Sequence, residues 1–467
     1  MGGGRGAHRT RGAVRAAEAE AAGKAGKAGG PAPAPPPAGG GGGPEPAWAD
    51  PWALGEAFRA ASVRGANLAL REALPAREAL ELLRAAAKAL QAERTVVDVA
   101  VPEGGEACVI GDTHGQLHDV LTLLEKTGGP DAGRTLVFNG DYVDRGAWGV
   151  EVLLLVLAWK LKMPHRVTLL RGNHETTSCT KCYGFFVEVL SKYGEAEGKE
   201  LYRACKKVFA ALPLAAVIEG VTLVLHGGLF RKPPAPRRKG KGRRRKRRTS
   251  FDEYEELYSG VPELGRVDEL RKCSKGGPDP DGLGSRVTPT DVLWGDPAPT
   301  NGLAYNESRG VGLLFGPDFT EAFLRENGLR LVLRSHEGPD ARSAREGMGD
   351  MMQGYTVDHK VASGMLCTVF SAPDYPEFMC EDEERYRNKA AFAVLRAPDF
   401  AAPAFVQYEA APRPPAEPYY ELYDVGDSDD EFAGDYDVQD ASDLEALSDF
   451  GQDSDYAGEG SDSDMEE

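Results

Sequence analysis

The sequence predicts an α/β fold in which buried β-strands end in polar loops that meet at one pocket. Six short polar motifs occur in a fixed order along the chain: GDTHGQ (111–116), GDYVDRG (140–146), RGNHE (171–175), HGG (226–228), RSHEG (334–338) and SAPDYP (371–376). Each of the first five follows or closes a run of β-branched and aliphatic residues, which is typical of a buried strand entering a functional loop. Because open α/β sheets bind ligands at strand ends, we expect these loops to converge.

The aliphatic runs place five strands at residues 108–110, 135–138, 167–170, 221–225 and 329–333. Ahead of them, apolar residues recur at helical spacing, so residues 49–94 are predicted to form a pair of helices, the second opened by Pro75. The motif-bearing domain is predicted to span residues 95–410. A stretch rich in Pro, Gly and charged residues, at 231–289, is expected to interrupt it as an insert.

Both ends of the chain differ in composition from the middle. Residues 1–48 are rich in Gly, Ala and Pro and are predicted to be disordered. Residues 411–467 read as a Pro-rich exit followed by a disordered acidic tail, and residues 421–467 hold 19 Asp and Glu but no Lys or Arg. The acidic tail therefore accounts for the net charge of −18. A second, basic block lies at residues 237–248, where ten of the twelve residues are Lys or Arg.

The seven cysteines are odd in number and lack the spacing of a disulfide framework, which favours a reducing compartment such as the cytosol or nucleus. The longest apolar run, residues 152–159, has eight residues. A helix needs about 20 to span a bilayer, so we expect no membrane span.

Six side chains that can bind metal ions lie in the loops after the predicted strands: Asp112, His114, Asp141, Asn173, His226 and His336. Asp112 and His114 can share one cation, although a D-x-H pair alone is also common in surface turns. The carboxylate of Asp141 can bridge two cations, and the remaining three residues complete a second set. Mixed oxygen and nitrogen ligands suit Mn, Fe or Zn better than Ca or Mg.

Two cations about 3.5 to 4 Å apart would clamp a phosphoryl group and convert a bridging water into hydroxide that attacks phosphorus in line. The departing oxygen then needs a proton, and His174 is the expected general acid, oriented by Asp144. Arg145 and Arg309 are expected to bind phosphate oxygens. The alternative interpretation of His174 is a structural histidine, and that of either arginine is a surface ion pair.

Taken together, the six motifs resemble the signature blocks of the phosphoprotein phosphatase family of serine/threonine phosphatases, over roughly residues 95–408. The resemblance implies a metallophosphoesterase fold: a central sandwich of two mixed β-sheets, flanked by helices, with a dimetal site at the strand-end loops. It assigns Asp112, His114 and Asp141 to the first metal, and Asp141, Asn173, His226 and His336 to the second. The cofactors implied are two divalent or trivalent ions per subunit, Mn or Fe with Zn.

The same resemblance matches His174 with Asp144 to the family's acid dyad. It also implies that Arg145, Arg309 and Asn173 contact the substrate phosphate and that Tyr375 lies at the rim of the site. Phosphoproteins are the implied substrates.

Several unusual blocks resemble the plant type-seven branch of the family: the long insert after HGGLFR, the phrases RSHEGPDAR and SAPDYP, and the ending PYYELYDVGDSDDE. This likeness implies a nuclear location, with the cytoplasm as a second one, and calmodulin as a partner of the insert. The basic run 237–248 lacks the apolar anchors of a calmodulin target, so importin is our first expectation for it. Neither specific nucleic-acid binding nor membrane binding is expected.

Two positions depart from the family pattern. Asn139 stands where an apolar residue is commoner, and we expect it to face strand packing. Pro376, Glu377 and Phe378 replace the usual Cys-Gly-Glu of the rim loop.

Two other functions compete with this interpretation. A dinucleoside polyphosphate hydrolase uses a related metal constellation, but GDYVDRG and SAPDY argue against it. A nuclear scaffold acting through its charge blocks would not need the intact ligand set.

Overall fold

The computed structural model describes residues 45–64, 67–233, 262–376, 378 and 385–419. The predicted disordered tails therefore lie largely outside the described residues, as does the basic run 237–248. All described residues belong to one compact unit that begins at Glu45. None of the described helices is both long enough and apolar enough to cross a membrane.

Fourteen strands occur in the described residues. In chain order they are β1 (Val96–Val99), β2 (Glu106–Ile110), β3 (Arg134–Phe138), β4 (Val167–Leu169), β5 (Ala215–Ile218), β6 (Thr222–Leu225), β7 (Asp296–Pro297), β8 (Leu303–Tyr305), β9 (Leu313–Phe315), β10 (Leu331–Arg334), β11 (Tyr355–Val361), β12 (Gly364–Val369), β13 (Ala390–Arg396) and β14 (Asp399–Tyr408). The five strands predicted from aliphatic runs are confirmed as β2, β3, β4, β6 and β10.

The described helices are α1 (Pro51–Val63), α2 (Asn67–Ala73), α3 (Ala76–Gln91), α4 (Leu117–Thr127), α5 (Gly149–Lys162), α6 (Thr177–Cys182), α7 (Phe185–Tyr193), α8 (Glu195–Ala211), α9 (Val267–Leu270), α10 (Val287–Trp294), α11 (Pro317–Asn327) and α12 (Pro339–Ser343). Two short 3₁₀ turns occupy Ala47–Ala49 and Gly284–Arg286.

Two mixed sheets form the centre of the fold, as the resemblance implied. One has the order β1-β5-β6-β10-β12-β11 and the other β14-β13-β2-β3-β4, while β7, β9 and β8 make a small third sheet. In the first sheet β6, β10 and β12 run parallel, and in the second β2, β3 and β4 run parallel. Parallel strands end at the same edge, so each sheet delivers three motifs together.

Three apolar clusters show how the layers pack. Side chains from both large sheets, such as Val109, Val137, Val224 and Leu333, share one cluster between the sheets. A second cluster joins β2, β3 and β4 to helices α1 to α5, α7 and α8, and a third joins the first sheet to α9, α10 and α11. Helices thus cover the outer face of each sheet, and the strand edges stay available for loops.

The N-terminal segment differs in detail from the predicted pair of helices, because it holds three: α1, α2 and α3. Helix α3 does begin directly after Pro75, and its buried residues include Leu83 and Leu90. Those residues recur at the spacing of one helix face, which packs this helix on the core.

The predicted boundaries of the insert need correction. We expected the fold to resume near Thr290, but Leu264 already pairs with Arg231 in an isolated bridge. Val267 and Leu270 in α9 are buried, and so is Val287. Apolar residues one helical turn apart are enough to anchor a short helix despite the Pro- and Gly-rich surroundings.

Candidate dimetal centre

The six motifs meet where the corresponding edges of the two large sheets approach each other. An isolated parallel bridge joins Asp112, just after β2, to Phe370, just after β12. Loops from both sheets therefore face one another across this bridge. The convergence expected from the strand ends is what the structure contains.

The backbone at this edge is tightly constrained. Six non-glycine residues of the motifs have positive φ: His114 (40°), Asp141 (51°), Asp144 (68°), Arg145 (69°), His336 (74°) and Asp374 (49°). Such conformations cost of order 1–3 kcal/mol each and persist only where neighbouring structure fixes them. A Cβ added to Gly172 would lie 2.1 Å from Asp141 Oδ1, so glycine is required for this close approach.

His114 and Asp141 face each other in the first half of the site. His114 Nδ1 lies 3.2 Å from the carbonyl oxygen of Val143, which leaves Nε2 directed at Asp141 Oδ2 at 3.7 Å. Burial is the main cause that lowers the pKa of His114, to about 3. The ring is therefore neutral and offers a lone pair, as a metal ligand must.

Asn173, His226 and His336 meet in the second half. Asn173 Oδ1 lies 2.9 Å from His226 Nε2 and 2.8 Å from His336 Nδ1. His226 Nε2 also lies 3.3 Å from Asp141 Oδ2, and its Nδ1 lies 2.8 Å from the carbonyl oxygen of Asn139. When Nδ1 donates to that carbonyl, Nε2 keeps its lone pair for a cation that these ligand atoms would share.

The resemblance assigns Asp112 to the first metal, but the contacts of its side chain are with the second group. Its two oxygens accept the backbone N–H of His336 at 3.2 and 3.1 Å, and one oxygen is 3.7 Å from His226 Nδ1. Burial, followed by repulsion from Asp141, raises the pKa of Asp112 to about 8. Two buried carboxylates that repel each other are an arrangement that a bound cation would stabilise.

The donor set fits two metal ions. Ligand atoms of His114, Asp141 and His174 lie within 4.8 Å of one another, and so do those of Asp141, His226 and His336. Asp141 belongs to both groups, as a bridging carboxylate would.

The charges around the two histidines of the second group are also those of a cation site. Burial lowers the pKa of His226, but Asp141 and Asp112 outweigh it and raise that pKa to about 9. His336 Nε2 is buried and has no hydrogen-bond partner among the described residues. The residues present therefore suit cations held by oxygen and nitrogen.

His174 and Asp144 form the predicted pair. His174 Nδ1 lies 2.8 Å from Asp144 Oδ2, while the other carboxylate oxygen accepts the backbone N–H of Phe185 at 3.0 Å. The His174 ring lies 4.8 Å from the His114 ring. Burial lowers the pKa of His174 to about 4, although Asp141 opposes this shift. A bound phosphate dianion would raise the same pKa by charge attraction.

The predicted phosphate ligands and the rim residue lie around these groups. The Arg145 guanidinium lies 4.2 Å from the centre of the Tyr183 ring. Arg309 Nε donates to Asp296 Oδ2 at 2.7 Å in a partly buried pair. Tyr375 is buried and stacks on His114, with ring centres 5.2 Å apart at 28°.

Glu175, which the sequence analysis did not name as a site residue, stabilises the backbone of this arrangement. The fully buried carboxylate of Glu175 accepts the backbone N–H groups of Asp141, Tyr142 and Gly172, each at 2.8 Å. It therefore fixes the loop that contains Asp141. Its place in the RGNHE motif, directly after a buried strand, is the signal that could have identified it.

A buried ion network lies behind the second half of the site. Arg334 donates to Asp296 at 2.9 Å and to Glu337 at 2.6 Å, and Asp296 in turn holds Arg309. The network links the RSHEG motif, through Asp296, to one predicted phosphate ligand.

Asn139 requires a correction. We expected it to face strand packing, but its side-chain amide donates to the carbonyl oxygen of Leu225 at 2.8 Å and to Ser335 Oγ at 3.0 Å. Its own carbonyl oxygen faces His226 Nδ1. An amide can join the second sheet to two loops of the first, which an apolar residue cannot do.

Comparison with known proteins agrees with this geometry. The family model described as calcineurin-like phosphoesterase matches residues 107–340, about half of the chain. The fold, the set of candidate metal ligands and the match to the family model thus define the protein as a metallophosphoesterase. Enzymes of this class use a dimetal centre.

Relatives define the family more narrowly. Serine/threonine-protein phosphatase 7 of Arabidopsis thaliana is 52% identical over 352 residues, which are 75% of this chain and 84% of the relative. Human serine/threonine-protein phosphatase 5 is 36% identical over 69% of this chain, and the match spans 52% of the human protein. The chain belongs to the phosphoprotein phosphatase family of serine/threonine phosphatases and is similar to its type-seven branch.

A solved structure also matches. It is a protein serine/threonine phosphatase from Saccharomyces cerevisiae with similarity to human PP5, and it aligns with a TM-score of 0.57 at 29% identity. The alignment covers 74% of this chain and 94% of the yeast chain. The metallophosphoesterase fold predicted from the resemblance is thereby confirmed.

Proposed function

We propose that the protein serine/threonine phosphatase activity of this chain is performed at the dimetal centre by the residues named from its sequence. Asp112, His114 and Asp141 would hold one cation, and Asp141, Asn173, His226 and His336 the other. When bound, the two cations supply charge neutralisation and an activated water. The oxygen and nitrogen donors favour Mn, or Fe with Zn, over Ca or Mg.

Arg145 and Arg309 bind the oxygens of the substrate phosphate in this proposal, with Asn173 next to them. Arginine presents a planar fork that matches phosphate oxygens, and its charge is worth more in a buried cleft than at a surface. Asp296 sets the orientation of Arg309, and the Tyr183 ring lies against Arg145. Tyr375 forms the wall of the pocket beside His114.

His174 delivers a proton from Nε2 to the oxygen of the departing serine or threonine. The observation that supports this role best is the buried contact between His174 Nδ1 and Asp144 Oδ2, at 2.8 Å. This contact occupies Nδ1, so Nε2, on the other side of the ring, is the nitrogen that would reach the leaving oxygen. It also stabilises the imidazolium once substrate charge has favoured protonation.

Replacing His174 with Asn tests the assignment. Asn retains a donor for Asp144 but offers no proton to the leaving oxygen, so kcat on a phosphoserine peptide should fall by about 10²- to 10⁴-fold. The loss should be much smaller on p-nitrophenyl phosphate, whose leaving group needs little protonation. His118→Asn is the matched control, because His118 is a buried histidine that packs on Trp148 outside the site. An equal loss on both substrates would eliminate the acid role.

We further propose a nuclear location, with the cytoplasm as a second one, which is supported by the likeness to the type-seven branch and by the basic run 237–248. Importin is the proposed partner of that run and phosphoproteins are the proposed substrates. Replacing its ten basic residues with Gln and Ser and imaging a fluorescent fusion tests this proposal, because an unchanged nuclear signal would contradict it.

A further inference from the structure

The segment 411–419, called the C-terminal strap below, contacts helix α4 and the loop that bears Tyr375. The backbone N–H of Ala411 donates to Asp119 Oδ1 at 2.7 Å. Two residues later, Arg413 Nη1 lies 3.4 Å from Asp119 and Nη2 lies 3.4 Å from Asp374. Prolines flank Arg413 on both sides, and they restrict the backbone so that its side chain is presented from a stiff segment.

Asp119 connects the strap to the loop that bears His114. It is buried on α4, and its Oδ2 accepts Gln116 Nε2 at 2.8 Å. The same Gln116 nitrogen donates to the carbonyl oxygen of Pro373 at 2.8 Å. Gln116 stands two residues after His114, so one buried carboxylate joins the strap to two loops of the site.

Asp374 provides the second connection, because it directly precedes Tyr375. Asp374 has φ of 49°, and its backbone N–H donates to the carbonyl oxygen of Asn388. Arg385 contacts the same carboxylate at 2.9 Å, so two arginines hold it. Tyr375 in turn stacks on His114. Movement of Asp374 would therefore shift the ring that lines the pocket.

We propose that Arg413 is a positioning residue that fixes the aromatic wall of Tyr375 and His114 through Asp374 and Asp119. The inference rests on the proposed function, in which Tyr375 lines the substrate pocket. Arg413 is 11% exposed and reaches no reacting atom directly in this arrangement. It acts on substrate binding through the wall and leaves the proton transfer at His174 unchanged.

Kinetics of Arg413→Ala on a phosphoserine peptide test this role. A loosened wall weakens binding in the ground and transition states alike, so KM should rise about fivefold while kcat stays within about twofold. Arg413→Lys should recover part of the loss, since lysine keeps the charge but cannot reach both carboxylates with one fork. Arg396→Ala is the matched control, because Arg396 forms an exposed ion pair with Glu106. Equal KM values for wild type and Arg413→Ala would overturn the proposal.

A double-mutant cycle separates positioning from general stability. If Arg413 acts through Tyr375, then adding Arg413→Ala to Tyr375→Ala should change KM by less than about 1.5-fold. The full fivefold effect in that background would contradict the proposal, even if Arg413→Ala lowers the melting temperature. A wild-type protein without phosphatase activity would instead refute the proposed function.

Discussion

Replacement of Lys192 by Met should destabilise the fold strongly, and more at high pH than at low pH. Lys192 Nζ donates to Glu151 at 2.6 Å, to Glu188 at 2.7 Å and to the carbonyl oxygen of Ala147 at 2.7 Å, and all three charged side chains are buried. Removing one partner of a buried ion pair costs about 3–5 kcal/mol, because the remaining charge has no compensation. We expect that loss in the free energy of unfolding at pH 8.

The pH dependence follows from Glu188. Burial raises its pKa from 4.5 to about 8, even though Lys192 opposes the shift. A carboxyl with a raised pKa binds its proton more tightly when folded, so its contribution to stability falls as pH rises from about 4.5 to 8. Without Lys192 that pKa rises further. At pH 5 the folded carboxyl is protonated and has no charge to leave unpaired, so the variant should lose less stability there.

Urea unfolding at pH 5 and pH 8, followed by circular dichroism, measures the loss in the free energy of unfolding of the variant at each pH. Lys199→Met is the matched control, because Lys199 forms an exposed pair with Glu195 on the neighbouring helix, and its loss should leave the free energy of unfolding almost unchanged. Equal losses at both pH values, or a loss at pH 8 no larger than that of the control, would refute the reasoning.

Two further predictions concern the site. Asp141→Asn should lose both metals, since its carboxylate belongs to both ligand groups, whereas Asn173→Ala should mainly lose one. Metal analysis of the purified variants tests this prediction. Two bound metals in Asp141→Asn would contradict it. Because residues 375–378 lack the cysteine and glycine of the common rim loop, the family's cyclic-peptide and polyether toxins should inhibit weakly; inhibition at nanomolar concentrations would show that this change has no effect.

The site is predictable from sequence to an unusual extent, because strand burial and loop polarity are local properties. An aliphatic run followed by a polar motif marks a strand end whatever the rest of the chain does. The five predicted strands and the convergence of Asp141, Asn173 and His226 follow from that rule together with parallel pairing.

The tertiary structure decided how those strand ends are held. Glu175 accepts three backbone N–H groups, and Asn139 links the two sheets. The RGNHE motif marks Glu175 as a candidate, but local spacing does not show which groups either residue contacts. Gln116 and Pro373 are 257 residues apart and still share a hydrogen bond. The sequence alone determined which chemical groups reach the pocket edge. Their orientation depends on contacts between distant segments, because such contacts form only when both sheets and the C-terminal strap have packed.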